Sequence, residues 1–359
     1  MRTTAGARGE APDARLAAYS SVSTSLALCS DRALSGLLDT AAPLGSGIGG
    51  RSALLETAGT PVFVKRVPLT ERELLPENVR STANVYQLPA FCQYGIGGPG
   101  IGAWREAAAH TMTTNWVLAG EYPGFPLMYH WRVLPDTAPE LPEELADVDR
   151  AVRYWGGGPQ VRRRIEALQQ SRASLVLFLE YIPQTLHGWL TGQLRAGDAA
   201  ADRAASQVEK ELRAGISFMN ARGLLHFDAH FENILTDGRR LYFTDYGLAL
   251  SSRFELSPGE AAFFERHRTH DRAYTLSYLV NWLITGVYGY GRAEREALIR
   301  ACGAGERPPQ GPPGVTAILG RHAPLAAVVT DFYGRLQRES REVPYPLEAI
   351  RRVLGAGHS

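Results

Sequence analysis

Lysine is nearly missing from this chain of 359 residues: of 38 Lys plus Arg side chains only two, Lys65 and Lys210, are lysines, which leaves 36 arginines. Cysteine is scarce as well. Cys29, Cys92 and Cys302 are spaced neither as disulfide pairs nor as metal ligands, which argues against a disulfide framework and for a reducing compartment. Net charge is close to zero, +1 at pH 7, so no cationic surplus is available for DNA or RNA. There is no run of about 18 apolar residues. The N-terminal stretch MRTTAGARGEAPDARLAAYSS has no apolar signal core, so a cytoplasmic protein with no membrane partner is expected. Repeats and low-complexity tracts are missing, apart from a short Pro-Gly linker at residues 307–314. What is present is 45% hydrophobic residues in a chain long enough for two lobes and a large core.

Against this background, residues 224–247, LLHFDAHFENILTDGRRLYFTDYG, are dense in chemistry. Asp237-Gly238 is a turn signal flanked by the apolar runs Asn233-Ile234-Leu235 and Leu241-Tyr242-Phe243, which predicts a small hairpin. A hairpin returns its ends to one place, so Asn233 and Asp245 should converge. An amide and a carboxylate there suit Mg²⁺, which takes one or two protein oxygens and completes its shell with phosphate and water. Asp228, in the loop leading into the hairpin, is placed as a second carboxylate with a separate task.

The string His226-x-Asp228-x-x-x-x-Asn233 followed by Asp245-Tyr246-Gly247 resembles the catalytic loop and Asp-Phe-Gly turn of the protein-kinase-like superfamily. The resemblance implies an α+β, bilobal fold: an N-terminal extension over 1–39, a sheet-rich N-lobe with insertions over 40–182, and a helical C-lobe over 183–359. It also implies ATP and Mg²⁺ as cofactors, and calls for a nucleotide cradle and a lysine. The glycines Gly45, Gly47 and Gly50 supply G-x-G-x-x-G, followed by a strand, turn and strand pattern over 53–65 rather than the helix a dinucleotide fingerprint would open. Lys65 closes that second strand. In a composition that uses arginine almost everywhere, a lysine kept in an apolar strand fits a phosphate ligand that must be a compact point charge, which a planar guanidinium cannot replace.

By the same resemblance Glu106, in the first turn of a helical stretch that starts at Ala103, pairs with Lys65. Glu180 and Ile182, at the end of the apolar strand 174–182, are the candidates for meeting adenine. A second glycine cluster, residues 95–102, reads as a loop and helix start, with anion binding the alternative, and the kinase pattern gives it no role. Residues 1–14 read as disordered and 15–39 as one or two helices. Val208, Leu212, Ile216 and Met219 mark one face of a helix that Arg222-Gly223 stops before the catalytic loop. Residues 271–286 predict a strongly buried helix that Asp271 would cap. In protein kinases a similar aspartate also holds the catalytic-loop backbone.

Some residues depart from the protein-kinase pattern. Phe227 stands where an arginine usually reads a phosphorylated activation loop, and only 24 steps separate Gly247 from Asp271, so switching by loop phosphorylation is not expected. His230 stands where Ser/Thr kinases generally place lysine, and resembles the aminoglycoside and choline phosphotransferases. The expected activity is transfer of the γ-phosphoryl group of ATP to a hydroxyl. Asp228 is the catalytic base, with His230 beside it, and Asn233 and Asp245 hold the metal. A Ser/Thr-type protein or peptide acceptor is the first reading and a small-molecule acceptor the alternative. A nucleotide-binding pseudokinase scaffold is the alternative of another class, disfavoured because every catalytic position is filled.

Overall fold

The computed structural model describes residues 12–47, 50–95, 98–138 and 140–356. Helices α1 (Pro12–Ala27) and α2 (Asp31–Asp39) come first. The Ser30 side chain starts α2 by accepting from the Ala33 amide, satisfying one of the free N–H groups of its first turn. Residues 12–14, expected to be disordered, are helical, and residues 1–11 lie outside the described residues. The cause is docking: Arg15, Val22 and Leu26 are buried, and this anchored face carries the helix back to Pro12, whose missing N–H is tolerated in a first turn.

A five-stranded antiparallel sheet follows, made of β1 (Ala42–Gly47), β2 (Gly50–Thr57), β3 (Thr60–Leu69), β4 (Met128–Pro135) and β5 (Ala173–Glu180) in the order β1-β2-β3-β5-β4. The predicted turn between β2 and β3 is formed by Ala58 and Gly59, both at positive φ, with Thr57 paired to Thr60. Strand β5, flanked by β3 and β4, is apolar from Leu175 to Leu179 and buried from Ser174 to Leu179, as expected of a strand covered on both faces.

Between β3 and β4 lie α3 (Glu71–Leu74), a 3₁₀ turn (Ala90–Tyr94) and α4 (Ala103–Leu118). Buried Glu73 joins these pieces. Its carboxylate accepts from the Thr70 amide and hydroxyl and from the Ala103 amide at 2.9 Å, so it caps α4 from outside, where Gly102 has no side chain to do so. Arg164 neutralises it at 2.7 Å. Although burial opposes ionisation, that guanidinium and the amide donors hold the Glu73 carboxyl below its ordinary pKa. Arg164 belongs to α7 (Pro159–Gln169), which with α5 (Glu143–Ala146) and α6 (Val148–Tyr154) makes up the segment between β4 and β5.

After β5 the chain is mostly helical. Strand β6 (Gln184–Thr185) leads into α8 (Leu186–Arg195) and α9 (Asp198–Ala221), which Arg222 and left-handed Gly223 terminate as predicted. The short strands β7 (Leu224–Leu225), β8 (Ile234–Thr236), β9 (Leu241–Phe243) and β10 (Leu250–Ser251) bracket the chemistry-rich segment. The predicted hairpin forms, with β8 paired antiparallel to β9. Helices α10 (Pro258–Arg266), α11 (His270–Tyr288), α12 (Arg292–Gly303), α13 (Pro313–Arg338) and α14 (Leu347–Ala356) complete an α+β protein. Helix α11 runs through Gly286, where the sequence suggested an end, and stops at left-handed Gly289. No helix among the described residues is long and apolar enough to cross a membrane.

Candidate active site

The hairpin and β3 meet at one point. The Lys65 ammonium donates to Glu106 Oε1 at 2.7 Å and to Asp245 Oδ1 at 2.9 Å, and Lys65 and Glu106 are both buried. A lysine stripped of water would ordinarily lose its proton. Here the two carboxylates outweigh burial and raise its pKa, so it stays charged. Asp245 sits at φ 62, unusual for a residue other than glycine, and burial works against its ionisation. Lys65 nevertheless pulls its pKa down to about 2. Tyr246 fixes the turn from behind, fully buried and donating its hydroxyl to the Phe243 carbonyl at 2.7 Å.

Asp228 stands on the other side of Asn233, whose amide nitrogen donates to the Asp228 carbonyl and to Asp228 Oδ2, each at 3.1 Å. The Asp228 side chain keeps 30% of its surface open. Burial of the rest, and then the negative charge of Asp245, raise its pKa to about 7 against the opposing pull of Lys65 and Asn233. A carboxylate poised near neutrality can accept a proton from an alcohol at working pH. His230 lies at the loop's outer edge, Nε2 at 3.8 Å from Asp228 Oδ2, with Nδ1 accepting from the Glu232 amide.

Of the two roles expected of Asp271, capping its helix and holding the backbone of the loop at His226, it fills the second and not the first. It is the second residue of α11 and does not cap it; Thr269 is the N-cap residue and makes no side-chain cap bond. The Asp271 carboxylate accepts from the backbone amides of His226 at 2.6 Å and Phe227 at 2.9 Å, suspending the loop that leads to Asp228 from the buried helix. Phe227, at φ 64, is buried and stacked on His270 with ring centroids 4.5 Å apart.

Lys65, Asn233 and Asp245 open onto a cleft of about 640 Å³ beneath the sheet, which Gly45, Gly50, Glu180 and Ile182 also line. At Gly50 a Cβ would stand 2.0 Å from the Arg66 carbonyl oxygen, so only glycine lets β2 pass there. Gly47 pairs with Gly50 across the β1–β2 connection, while Ile48 and Gly49 of the loop lie outside the described residues. Glu180 is already engaged: its amide donates to the Leu127 carbonyl, and its carboxylate takes Arg15 Nε at 2.7 Å and the Leu127 amide at 3.0 Å. Arg15 Nη1 also donates to the Pro123 carbonyl at 2.9 Å, and Nη2 to that of Phe125.

The second glycine cluster lies against the same chemistry. Gly98, Gly100 and Gly102 line a cavity of about 520 Å³ that reaches Asp228 and Asp245. A Cβ on left-handed Gly95 would stand 3.5 Å from Asp228 Oδ1. Ile96 and Gly97 lie outside the described residues.

The oxygens suited to a hard cation are Asn233 Oδ1, which accepts no hydrogen bond among the described residues, and the Asp245 carboxylate. No group of three or more His, Cys, Asp or Glu able to hold a metal ion occurs among the described residues. An amide oxygen beside a carboxylate is a donor pair of the kind that suits a hard cation with an otherwise open shell.

Sequence reasoning missed the Arg15 clamp, which no local pattern announces. It also missed His110, four residues after Glu106, buried in the cleft wall with neither ring nitrogen partnered among the described residues. Its spacing from Glu106 on one helix face was the available signal. A comparison with protein-family models found no model that matches this chain, and a comparison with curated proteins found no match.

Proposed function

We propose that this chain is an ATP-dependent phosphotransferase that moves the γ-phosphoryl group to an alcohol, in a protein-kinase-like arrangement of a sheet-rich N-lobe over a helical C-lobe. The observation that carries the reading is the Lys65 ammonium held between Glu106 and Asp245 at 2.7 and 2.9 Å on the wall of a cleft that Asn233 also lines. Phosphoryl transfer asks a protein for positioning and charge neutralisation rather than covalent chemistry, and these residues supply both.

In this reading Lys65 steadies the phosphates, and Glu106 keeps it from collapsing wholly onto Asp245. Asn233 and Asp245 would hold a magnesium ion, which neutralises charge on the phosphates when bound. Asp228 orients the acceptor hydroxyl and takes its proton, and Asn233 and the Asp271-bound loop backbone keep Asp228 in place. Phe227 fills with packing the position from which an arginine would read a phosphorylated loop, which supports an enzyme not switched in that way.

The test is Asp245→Ala. Magnesium-dependent ATP binding should be lost, as measured by calorimetric titration with and without the cation. Full nucleotide affinity in the variant would contradict the assignment of the metal oxygens.

A further inference from the structure

Asp228 also lines a cavity of about 830 Å³ on the helical side of the catalytic loop. Helix α11 forms one wall. One of its faces is buried through Leu276, Leu279, Val280, Leu283 and Ile284. The other repeats every four residues, with Tyr274, Tyr278 and Trp282 in one row and Ser277, Asn281 and Thr285 in the next, and all six line the cavity. The ring row continues across to α13, where Tyr333 lies 5.7 Å from Tyr274 between ring centroids.

Arg195, Arg292 and Arg295 also line this cavity, against two acidic residues, Asp228 and Glu296. Glu296 is already paired with Arg292 at 2.9 Å and lies 3.9 Å from Arg300. Among the described residues neither Arg195 nor Arg295 forms an ion pair. Arg295 donates one hydrogen bond, to Thr285 Oγ1 at 2.9 Å, and its Nε has no partner.

We propose that this cavity is the acceptor site of the phosphotransferase reading, on which the proposal rests, and that it takes a small ring-containing alcohol bearing a carboxylate or phosphate rather than a protein side chain. The volume falls within the roughly 300–1,000 Å³ of small-molecule sites. Aromatic walls receive ring faces, and polar groups in the alternate row fix orientation. An unpaired arginine matches carboxylate and phosphate and repels a cation. The nucleotide cleft and this cavity flank the same loop, with Asn233 on one and Asp228 on the other, 3.1 Å apart. In the transfer, the acceptor oxygen bonds to the γ-phosphorus while the bond from that phosphorus to the β,γ-bridging oxygen breaks. The electron pair leaves with ADP, and the hydroxyl proton passes to the Asp228 carboxylate.

The test titrates the full chain calorimetrically, without nucleotide, with four benzyl alcohols that differ at the para position: 4-(hydroxymethyl)benzoate, 4-(hydroxymethyl)phenyl phosphate, 4-(hydroxymethyl)benzamide and 4-(hydroxymethyl)benzylamine. Transfer from labelled MgATP to each is then measured. One or both anionic alcohols should bind about 10-fold or more tighter than the amide, with the amine weakest. Which anion leads separates carboxylate from phosphate recognition. The preference should vanish in Arg295→Gln and survive in part in Arg295→Lys, with thermal melting used to show that each variant is folded. No binding of any probe, equal binding of all four, preference for the amine, or a preference untouched by Arg295→Gln would overturn the proposal. Anion-selective binding without phosphorylation upholds the cavity and counts against the phosphotransferase reading. Transfer to a serine peptide with no binding of the anionic alcohols does the reverse.

Discussion

The two sides of the loop that carries Asp228 solve different problems with different materials. Toward the sheet, charge is organised: an ammonium between two carboxylates, and at the end of β5 a guanidinium wrapped around Glu180. Toward the helices, rings are organised. Phe227, Phe263, His267 and His270 stack beneath the loop, and the tyrosines of α11 and α13 line the cavity beside it. The sheet side is therefore sensitive to the identity of single charged groups, and the helical side to packing and to protonation of what is packed.

The largest expected effect is on the sheet side. Lys65→Arg conserves charge but puts a wide planar fork where a compact ammonium fits between Glu106 and Asp245. Turnover, compared as kcat/KM for ATP among wild type, Lys65→Arg and Lys65→Met, should fall by ~10²-fold or more in both variants. Wild-type turnover with arginine would mean that the charge alone matters and would remove the contrast.

Next is Arg15→Ala. The substitution leaves the Glu180 carboxylate with the Leu127 amide but no cationic partner, and takes the Arg15 donor from the Pro123 and Phe125 carbonyls, in a largely buried site. Loss of one partner of a buried pair costs about 3–5 kcal/mol. Urea denaturation should show that loss, and a change below about 1 kcal/mol would show the clamp to be incidental.

The helical side should answer to acid. His267 is buried against Phe263 with ring centroids 3.8 Å apart, and Tyr94 Oη lies 2.6 Å from its Nε2. Burial, and then the neighbouring His270, depress its pKa from 6.5 to about 3. Below pH 6.5 the unfolded chain takes up a proton that the folded one refuses, so the stability this group contributes is present above that pH and lost as pH falls toward 3. At roughly 1.4 kcal/mol per pH unit, the loss between pH 6.5 and pH 5 is about 2 kcal/mol. Other buried groups titrate in the same window, so the test is the difference: denaturation at the two pH values should show His267→Phe losing about 2 kcal/mol less stability than wild type. Equal slopes would contradict the account.

The same division governs how much could be read in advance. The hairpin, the lysine strand and the Glu106 helix are each written in a contiguous string, with turn residues, alternation or a first-turn acid as the mark, and each forms where expected. Asp271 was legible as a helix-start aspartate, but whether its carboxylate caps its own helix or reaches the loop depends on how α11 packs, and packing decided for the loop. The Arg15 clamp joins residues 165 positions apart. The aromatic row of α11 was hidden for a related reason. Its apolar face was read first, and Tyr274, Tyr278 and Trp282 become a wall only when α8, α12 and α13 enclose the space in front of them. The helix over 12–14 likewise depends on docking that local composition does not carry.

Asp228 lines the cavity on one side of the loop and is hydrogen-bonded to Asn233 on the cleft at the other, so Asp228→Asn tests the central claim most directly. Magnesium-ATP affinity should stay near wild type while phosphoryl transfer falls by ~10²–10⁴-fold, the usual contribution of a general base. Transfer at the wild-type rate, measured in the same preparation, would contradict the account.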